Sequence, residues 1–308
     1  MVMSSLPPLP LPEEMRQWDE AAFALGLPEV MLMENASRAA LRALELCGVP
    51  LAGRRVWLFM GSGNNGGDAA ALARHLLDAG ALPTVWHTRP LGQYKGACGQ
   101  HVRMARRCGV PFAPVGRCLA AGRDNAPPHI VVDGLLGTGF NGPVRGLFYE
   151  AIQAINQSKA YVISVDINSG MNGDTGKGGP VVKSDITVTI GYLKAGMLLG
   201  DAVWSIGKLV VADIGIRLIR DDYFLAKPEE AVFPHSDLSL DGDHVTLLTP
   251  GEAEDLSKAG QTIPDVAQEL ALRSRRLVRV LGRYALATDG YRTYFLEGGE
   301  YPQVIQVG

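Results

Sequence analysis

Apolar positions along this chain fall into short unbroken runs separated by longer stretches of mixed character. Residues 56–60 (VWLFM), 83–87, 130–132, 161–165, 186–190 and 209–211 form such runs. A run of this length bounded by polar residues predicts a strand covered on both faces. Between the runs, apolar residues return every three or four positions, the period of a helix with one buried face. Residues 13–25 place Met15, Trp18, Ala22 and Leu25 on one side, and 35–47 do the same with Ala36, Ala39, Ala40, Leu44 and Cys47. Helices are also predicted over 69–78, 99–108 and 148–156. Strands that alternate with helices of this length predict an α/β fold with a doubly wound, parallel sheet.

The pattern divides the chain into four parts. Residues 1–12 are proline-rich and read as a loose arm. Residues 13–220 carry the alternating pattern. Residues 221–243 read as a polar, proline-containing linker. Residues 244–308 offer a short strand at 245–248, a helix at 264–272 and a hairpin-like run at 277–296 turning at Asp289-Gly290. That is thin for a core of its own.

Composition narrows the function classes. The 308 residues suffice for one large or two modest domains. A net charge of −3, with no basic run, gives no sign of a nucleic-acid surface. Cys47, Cys98, Cys108 and Cys118 form no CxxC pair and read as reduced thiols. The N-terminal stretch lacks a basic n-region, and no apolar run is long enough to span a bilayer. A cytoplasmic setting without membrane contact is the expectation.

The candidate chemistry lies in three glycine-rich turns, each just after a predicted strand, where open α/β sheets bind ligands. The first, GSGNNGGD at 61–68, leads into a helix and brings free backbone N–H groups to its N-terminus, an attractive place for phosphate. It contains a literal GxGxxG. However, the next predicted strand ends in His87-Thr88-Arg89, without the carboxylate a nicotinamide dehydrogenase uses to hold ribose. The P-loop lysine is absent as well. Arg89 could instead favour a 2′-phosphate.

The second turn, DGLLGTGFNGP at 133–143, starts on Asp133, and the third, DINSG at 166–170, starts on Asp166. Two strand-end carboxylates in one crevice are costly unless something offsets their charge. One could hold a cation together with Asn65 and Ser169, all hard oxygen ligands. The other could transfer protons or hold a ribose or nicotinamide group. Lys194 follows a further strand and either reaches the same crevice or faces solvent. The six histidines show no metal spacing.

The segments MLMENASRAA (31–40), GSGNNGGDAAALARHL (61–76), DGLLGTGFNGP (133–143), DINSGMNGDTG (166–176) and 187–214 together resemble the YjeF N-terminal domain family over residues 10–218. The resemblance implies a three-layer Rossmann-like domain, often a homodimer. It implies an isomerase that interconverts the R and S forms of hydrated NADH and NADPH (NADHX and NADPHX), a repair reaction. Residue by residue, it implies substrate contacts at Asn64, Asn65, Gly66, Gly67 and Asp68, at Gly137, Thr138, Gly139, Phe140, Asn141, Gly142 and Pro143, and at Asp166. It implies a potassium ion at Asn65, Asp133 and Ser169. Asp166 is the candidate for acid–base work, with Lys194 as its helper. The same fold also serves as an interaction domain in an enhancer-of-decapping protein, so a non-catalytic dinucleotide-binding or scaffold module is the alternative.

Two residues depart from the family pattern. Ala69 stands where a glycine is usual, and Asn168 where a proline is usual. Residues 244–253 and 277–295 resemble fragments of the ADP/ATP-dependent dehydratase that follows this domain in bifunctional members. The glycine-rich nucleotide loop of that domain is missing, so the resemblance implies a shortened remnant without dehydratase activity.

Overall fold

The apolar runs become neighbouring strands in a computed structural model that describes residues 10–121, 126–199, 202–216, 223–226, 245–248, 250–256, 261, 263–274, 277–280, 285–288, 293–296 and 304–307. They are β1 (Arg55–Met60), β2 (Leu82–His87), β3 (Phe112–Pro114), β4 (Ile130–Gly134), β5 (Tyr161–Val165), β6 (Ile186–Ile190) and β7 (Lys208–Ala212). Their spatial order is β7-β6-β5-β4-β1-β2-β3, and every pair is parallel. The chain therefore runs outward from β1 in one direction and then, through β4, in the other.

Six helices flank this sheet: α1 (Pro12–Ala24), α2 (Glu29–Leu46), α3 (Asn64–Asp78), α4 (Gly96–Arg107), α5 (Val115–Ala121) and α6 (Gly146–Gln157). Strand residues alternate between two cores, as the pleat demands. Leu58, Met60, Val132, Ile163 and Val188 pack with α2, α3 and α4. Phe59, Val131 and Val162 pack on the other face with α5 and α6. The three-layer, doubly wound α/β architecture expected from the sequence is the one observed.

Local differences have local causes. The second helix starts at Glu29 rather than near 35, because Pro28 forms its N-terminal boundary with extended backbone. The third starts at Asn64, inside the glycine run, rather than at 69. Gly66 and Gly67 are helical. A Cβ on Gly66 would lie 2.1 Å from the Gly61 carbonyl oxygen, and one on Gly67 2.4 Å from the Met33 sulfur. Close packing, not turn chemistry, requires these two glycines. The short β3 and α5 carry too few periodic positions to be read from sequence.

The C-terminal region is not separate. Its strands β8 (Tyr223–Ala226), β9 (Val245–Leu248), β10 (Leu277–Val280), β11 (Ala285–Thr288) and β12 (Thr293–Leu296) form a mixed sheet ordered β8-β12-β11-β10-β9. Helices α7 (Pro250–Leu256) and α8 (Ile263–Ser274) accompany it. The segment 221–243 thus contains a strand. The stretch 277–296 is a three-strand meander rather than one hairpin, with Asp289-Gly290 outside the described residues. The last strand, β13 (Val304–Val307), returns to pair with β7 and lengthens the first sheet to eight strands. Leu248, Ala253, Ala267, Ala271, Val278, Val280 and Leu286 share one apolar cluster with Leu193, Met197, Leu198, Ile206 and Leu209. No helix among the described residues is long and apolar enough to cross a membrane.

Candidate active site

β1 and β4 are neighbours in the sheet, and the strand order reverses between them. The turns that follow them diverge to opposite sides and open a crevice at the carboxyl edge. A cavity of about 740 Å³ lies there. Its lining includes Ser62, Gly63, Asn64, Asn65 and Asp68 from the first turn and helix, 135–141 from the second turn, and Asp166 and Lys194 from the ends of β5 and β6. Of the predicted contact residues, Gly142, Pro143, Gly66 and Gly67 do not line it, nor does Arg89. Helices α1 and α2 supply the remaining wall, including Asp19, Phe23, Glu29 and Met33. None of these was singled out from sequence. A charged residue on an amphipathic helix carries no signal that separates a cavity from solvent.

The first turn leaves a helix end open. Gly63 precedes α3 without any side-chain cap. The first N–H groups of α3 therefore have no intrahelical partner and sit at the cavity edge, where a helix N-terminus favours an anion. A Cβ on Gly63 or Gly139 would meet nothing within 4 Å, so the backbone at both positions is open to a ligand.

Asp166 is the one non-glycine described residue with a positive φ, at 66°. Its N–H still donates to the Val188 carbonyl, 2.7 Å away, so the chain leaves β5 in register and then turns sharply. Asp166 Oδ1 accepts a hydrogen bond from Lys194 Nζ at 2.5 Å. Lys194 is 2 % exposed, and its ammonium also donates to Thr189 Oγ1 and to the Ile190 carbonyl, at 3.1 and 2.8 Å. All three ammonium donors are thus used within the protein. Asp166 Oδ2 faces Gly137: a Cβ built there would lie 3.7 Å from it. One oxygen is anchored and the other faces a cavity-lining turn.

Asp68 projects from α3 toward the same charges and is 6 % exposed. Its carboxyl is pushed well above the usual range, first by burial and then by the negative charge of Asp166, with Lys194 opposing. Asp19, on α1, is raised to about 6, again first by burial. Asp19, Asp68 and Asp166 therefore surround one ammonium in one cavity.

Asp133 and Ser169 lie beneath the cavity rather than in its lining. Asp133 is fully buried. Its Oδ1 accepts from Ser169 Oγ at 2.5 Å and from the Leu135 N–H at 3.3 Å. Its Oδ2 accepts from the Ser169 N–H at 2.9 Å and Ser164 Oγ at 3.0 Å. Burial still raises its pKa against these bonds. Asn65 Nδ2 donates to the Leu136 carbonyl at 2.8 Å, and the Leu136 N–H donates to Ser169 Oγ at 2.9 Å. Asn65 Oδ1 is buried without a partner. The orphaned Asn65 Oδ1, linked through Leu136 to Ser169 Oγ and the hydrogen-bonded Asp133 carboxylate, gives a set of hard oxygens that fits a monovalent cation.

The two departures are absorbed by packing. A Cβ on Gly134 would lie 2.7 Å from the Ala69 methyl, so Ala69 fits because its neighbour is glycine. Asn168 is fully buried and acts as a hub. Its Nδ2 reaches the Val182 carbonyl at 2.8 Å, Ser184 Oγ at 2.9 Å and the Ser205 carbonyl at 2.8 Å. Its Oδ1 accepts from Thr187 Oγ1 at 2.7 Å.

Comparison with known proteins places this geometry. The family described as "YjeF-related protein N-terminus" matches residues 29–196. The chain is 37 % identical over 216 residues to the NAD(P)H-hydrate epimerase of Rhodopirellula baltica, covering 69 % of this chain and 86 % of that protein. It is 35 % identical to the NAD(P)H-hydrate epimerase of Limosilactobacillus fermentum, covering 65 % of this chain and 93 % of that one. The bifunctional NAD(P)H-hydrate repair enzyme Nnr of Thermofilum pendens is 37 % identical over 208 residues, and the chain spans only 39 % of its length. The crystal structure of yeast ynu0 has the same fold, with a TM-score of 0.58 at 21 % identity over 69 % of this chain and 90 % of that one.

Proposed function

The chain belongs to the YjeF-related N-terminal family, and on that premise we propose that it is an NAD(P)H-hydrate epimerase. It interconverts the R and S forms of NADHX and NADPHX. The observation that carries this reading is Asp166, held by buried Lys194 at a strand end beside an uncapped helix N-terminus. The pyrophosphate of the dinucleotide sits against the start of α3 and the Gly137–Gly139 turn. The damaged ring lies toward Asp166, Lys194 and Asp68.

Inversion requires the ring carbon to lose its hydroxyl and regain it on the other face. Asp68, which keeps its proton to an unusually high pH, donates that proton to the departing oxygen, and water leaves. The ring nitrogen supplies the electron pair and becomes part of a cation, which the surrounding carboxylates stabilise. Water then adds to the opposite face, and Asp166 accepts its proton. No electrons are exchanged. Each turnover moves one proton from Asp68 to Asp166.

A potassium ion would be held by Asn65, Asp133 and Ser169, whose chemistry fits it. When bound, it supplies the positive charge that the buried Asp133 lacks and stiffens the Leu136 turn. We read the protein as a cytoplasmic homodimer, and residues 244–308 as carrying no dehydratase chemistry.

The test is the rate at which the R/S ratio of NADHX relaxes, followed by chromatography with and without the protein in potassium buffer. Clear acceleration over the spontaneous rate is expected. Folded protein that leaves the spontaneous rate unchanged refutes the proposal.

A further inference from the structure

The turnover described above ends with the cavity in a different protonation state from the one in which it began. Asp68 has lost a proton and Asp166 has gained it. Before the same epimer can be converted again, the proton must return. Both residues line the cavity but are little exposed, Asp68 at 6 % and the Asp166 side chain at 15 %, which restricts direct exchange with bulk water.

Asp19 occupies the place from which that return can be made. It lines the cavity that Asp68 and Asp166 also line. It interacts electrostatically with Asp166 and Lys194, and Asp68 in turn senses Asp19. Glu29, on α2, faces both Asp19 and Asp68. Among the described residues no hydrogen bond fixes the Asp19 carboxyl, so it is free to turn between neighbours.

Its position is set by contacts that bracket Lys194. The Pro10 carbonyl accepts the Ala195 N–H at 3.1 Å. Met15 Cε lies 3.2 Å from where a Cβ on Gly191 would be. Trp18, the residue before Asp19, stacks edge-on against Tyr192 with ring centroids 5.7 Å apart. Helix α1 and the residue two before it are therefore fastened to residues 191, 192 and 195, the turn that carries Lys194. The helix that holds Asp19 and the turn that holds the Asp166 partner form one unit.

We propose that Asp19 is the proton-relay residue that returns the proton from Asp166 to Asp68 between turnovers. This rests on the epimerase reading given above. Its carboxyl, raised to about 6 by burial and by Asp166, exchanges a proton closer to neutral pH than an ordinary aspartate does.

The consequence is a specific kinetic signature. A relay acts on free enzyme, not on bound substrate. Asp19→Asn is expected to lower kcat at least 10-fold at saturating substrate and to lower KM with it, so that kcat/KM stays within about 2-fold of wild type. Small carboxylic acids or imidazole in the buffer are expected to restore kcat, because they carry the proton instead. The exposed Gln17→Ala on the same helix serves as the control and is expected to behave as wild type. Asp19→Ser provides a second variant if the asparagine chain misfolds, and melting curves for both report the fold. An unchanged kcat in Asp19→Asn and Asp19→Ser overturns the relay. So does a fall in kcat/KM equal to the fall in kcat, which indicates direct substrate contact. Absence of activity in the wild type removes the epimerase reading and the relay together, whereas an active wild type with an indifferent Asp19 removes the relay alone.

Discussion

Lys194 and Asp166 stand 28 positions apart in sequence, yet Nζ and Oδ1 lie 2.5 Å apart, because β5 and β6 are parallel neighbours with Val165 opposite Val188, so the exit of β5 meets the chain as it leaves β6. The pair fixes one carboxylate oxygen and leaves the other for the cavity. Asp166→Ala is expected to lower kcat/KM by about 10²–10⁴-fold, the usual contribution of a general acid or base. Lys194→Met leaves the Asp166 carboxylate without its partner and is expected to cost about 3 kcal/mol of stability as well as activity. The double variant is expected to be no slower than Asp166→Ala alone, as measured by steady-state kinetics on purified NADHX.

Asp68 gives the fold an unusual pH response. Its folded-state pKa is raised, so the folded protein holds a proton that the unfolded chain releases. Stability from this group is full below the unfolded pKa and declines as pH rises toward the folded one. Asp68→Asn removes the penalty. Its melting temperature is expected to exceed that of wild type at pH 8 and to approach it at pH 4, while epimerase activity is lost. A variant less stable than wild type at pH 8 contradicts this placement of the charge.

The orphaned Asn65 Oδ1 predicts a cation effect that can be read without substrate. Potassium chloride is expected to raise the melting temperature above that in N-methylglucamine chloride of equal ionic strength. The gain approaches about 2.7 kcal/mol at a concentration 100 times the dissociation constant. In Asn65→Ala the two salts are expected to give the same melting curve.

The sequence made the sheet legible where strands are long and apolar. β5 and β6 fall on the predicted residues because the runs YVISV and ITVTI are apolar and of strand length; Asp166 follows β5 directly, and Asp133 lies at the end of β4, next to its final residue. The glycine run was legible as a special place but not in its reasons, since Gly66 and Gly67 serve helix packing and only Gly63 borders the ligand space. Asp19 and Glu29 were invisible, because a helix face looks the same whether it meets water or a polar cavity. β13 is four residues long and pairs with a strand nearly a hundred positions away, a distance over which a single sequence gives no register.

Asn168 holds the exit of β5 by side-chain chemistry. Its amide joins the exit of β5 to Val182, Ser205 and Thr187. Asn168→Ala leaves the buried Val182 carbonyl without its partner and a void at the hub, while the Ser205 carbonyl and Thr187 Oγ1 keep their bonds to Ser184. It is expected to cost about 2–4 kcal/mol in urea unfolding at constant m-value, since each orphaned polar group costs about 1–3 kcal/mol. Asn168→Asp retains the acceptor but loses the donors, and is expected to be at least as damaging.

The C-terminal region is expected to behave as part of the epimerase fold and not as an appendage. Leu286, on β11, is fully buried in the cluster that also contains Leu193 and Met197, on either side of the Lys194 turn. Leu286→Ala is expected to cost about 2–4 kcal/mol, as for other buried leucines, and to shift one cooperative transition rather than split it. β13 adds a second tie, because Asp213 donates its N–H to the Val307 carbonyl at 2.9 Å directly after β7. A chain ending at residue 243 uncovers Ile206 and Leu209 and frees the β7 edge, so it is expected to aggregate. The decisive measurement is tryptophan fluorescence and far-UV circular dichroism on the same urea series. Coincident curves for wild type and Leu286→Ala support a shared core. A truncated chain that stays soluble, melts at the wild-type temperature and retains full epimerase activity shows instead that residues 244–308 are dispensable, and that the apolar cluster around Lys194 closes without them.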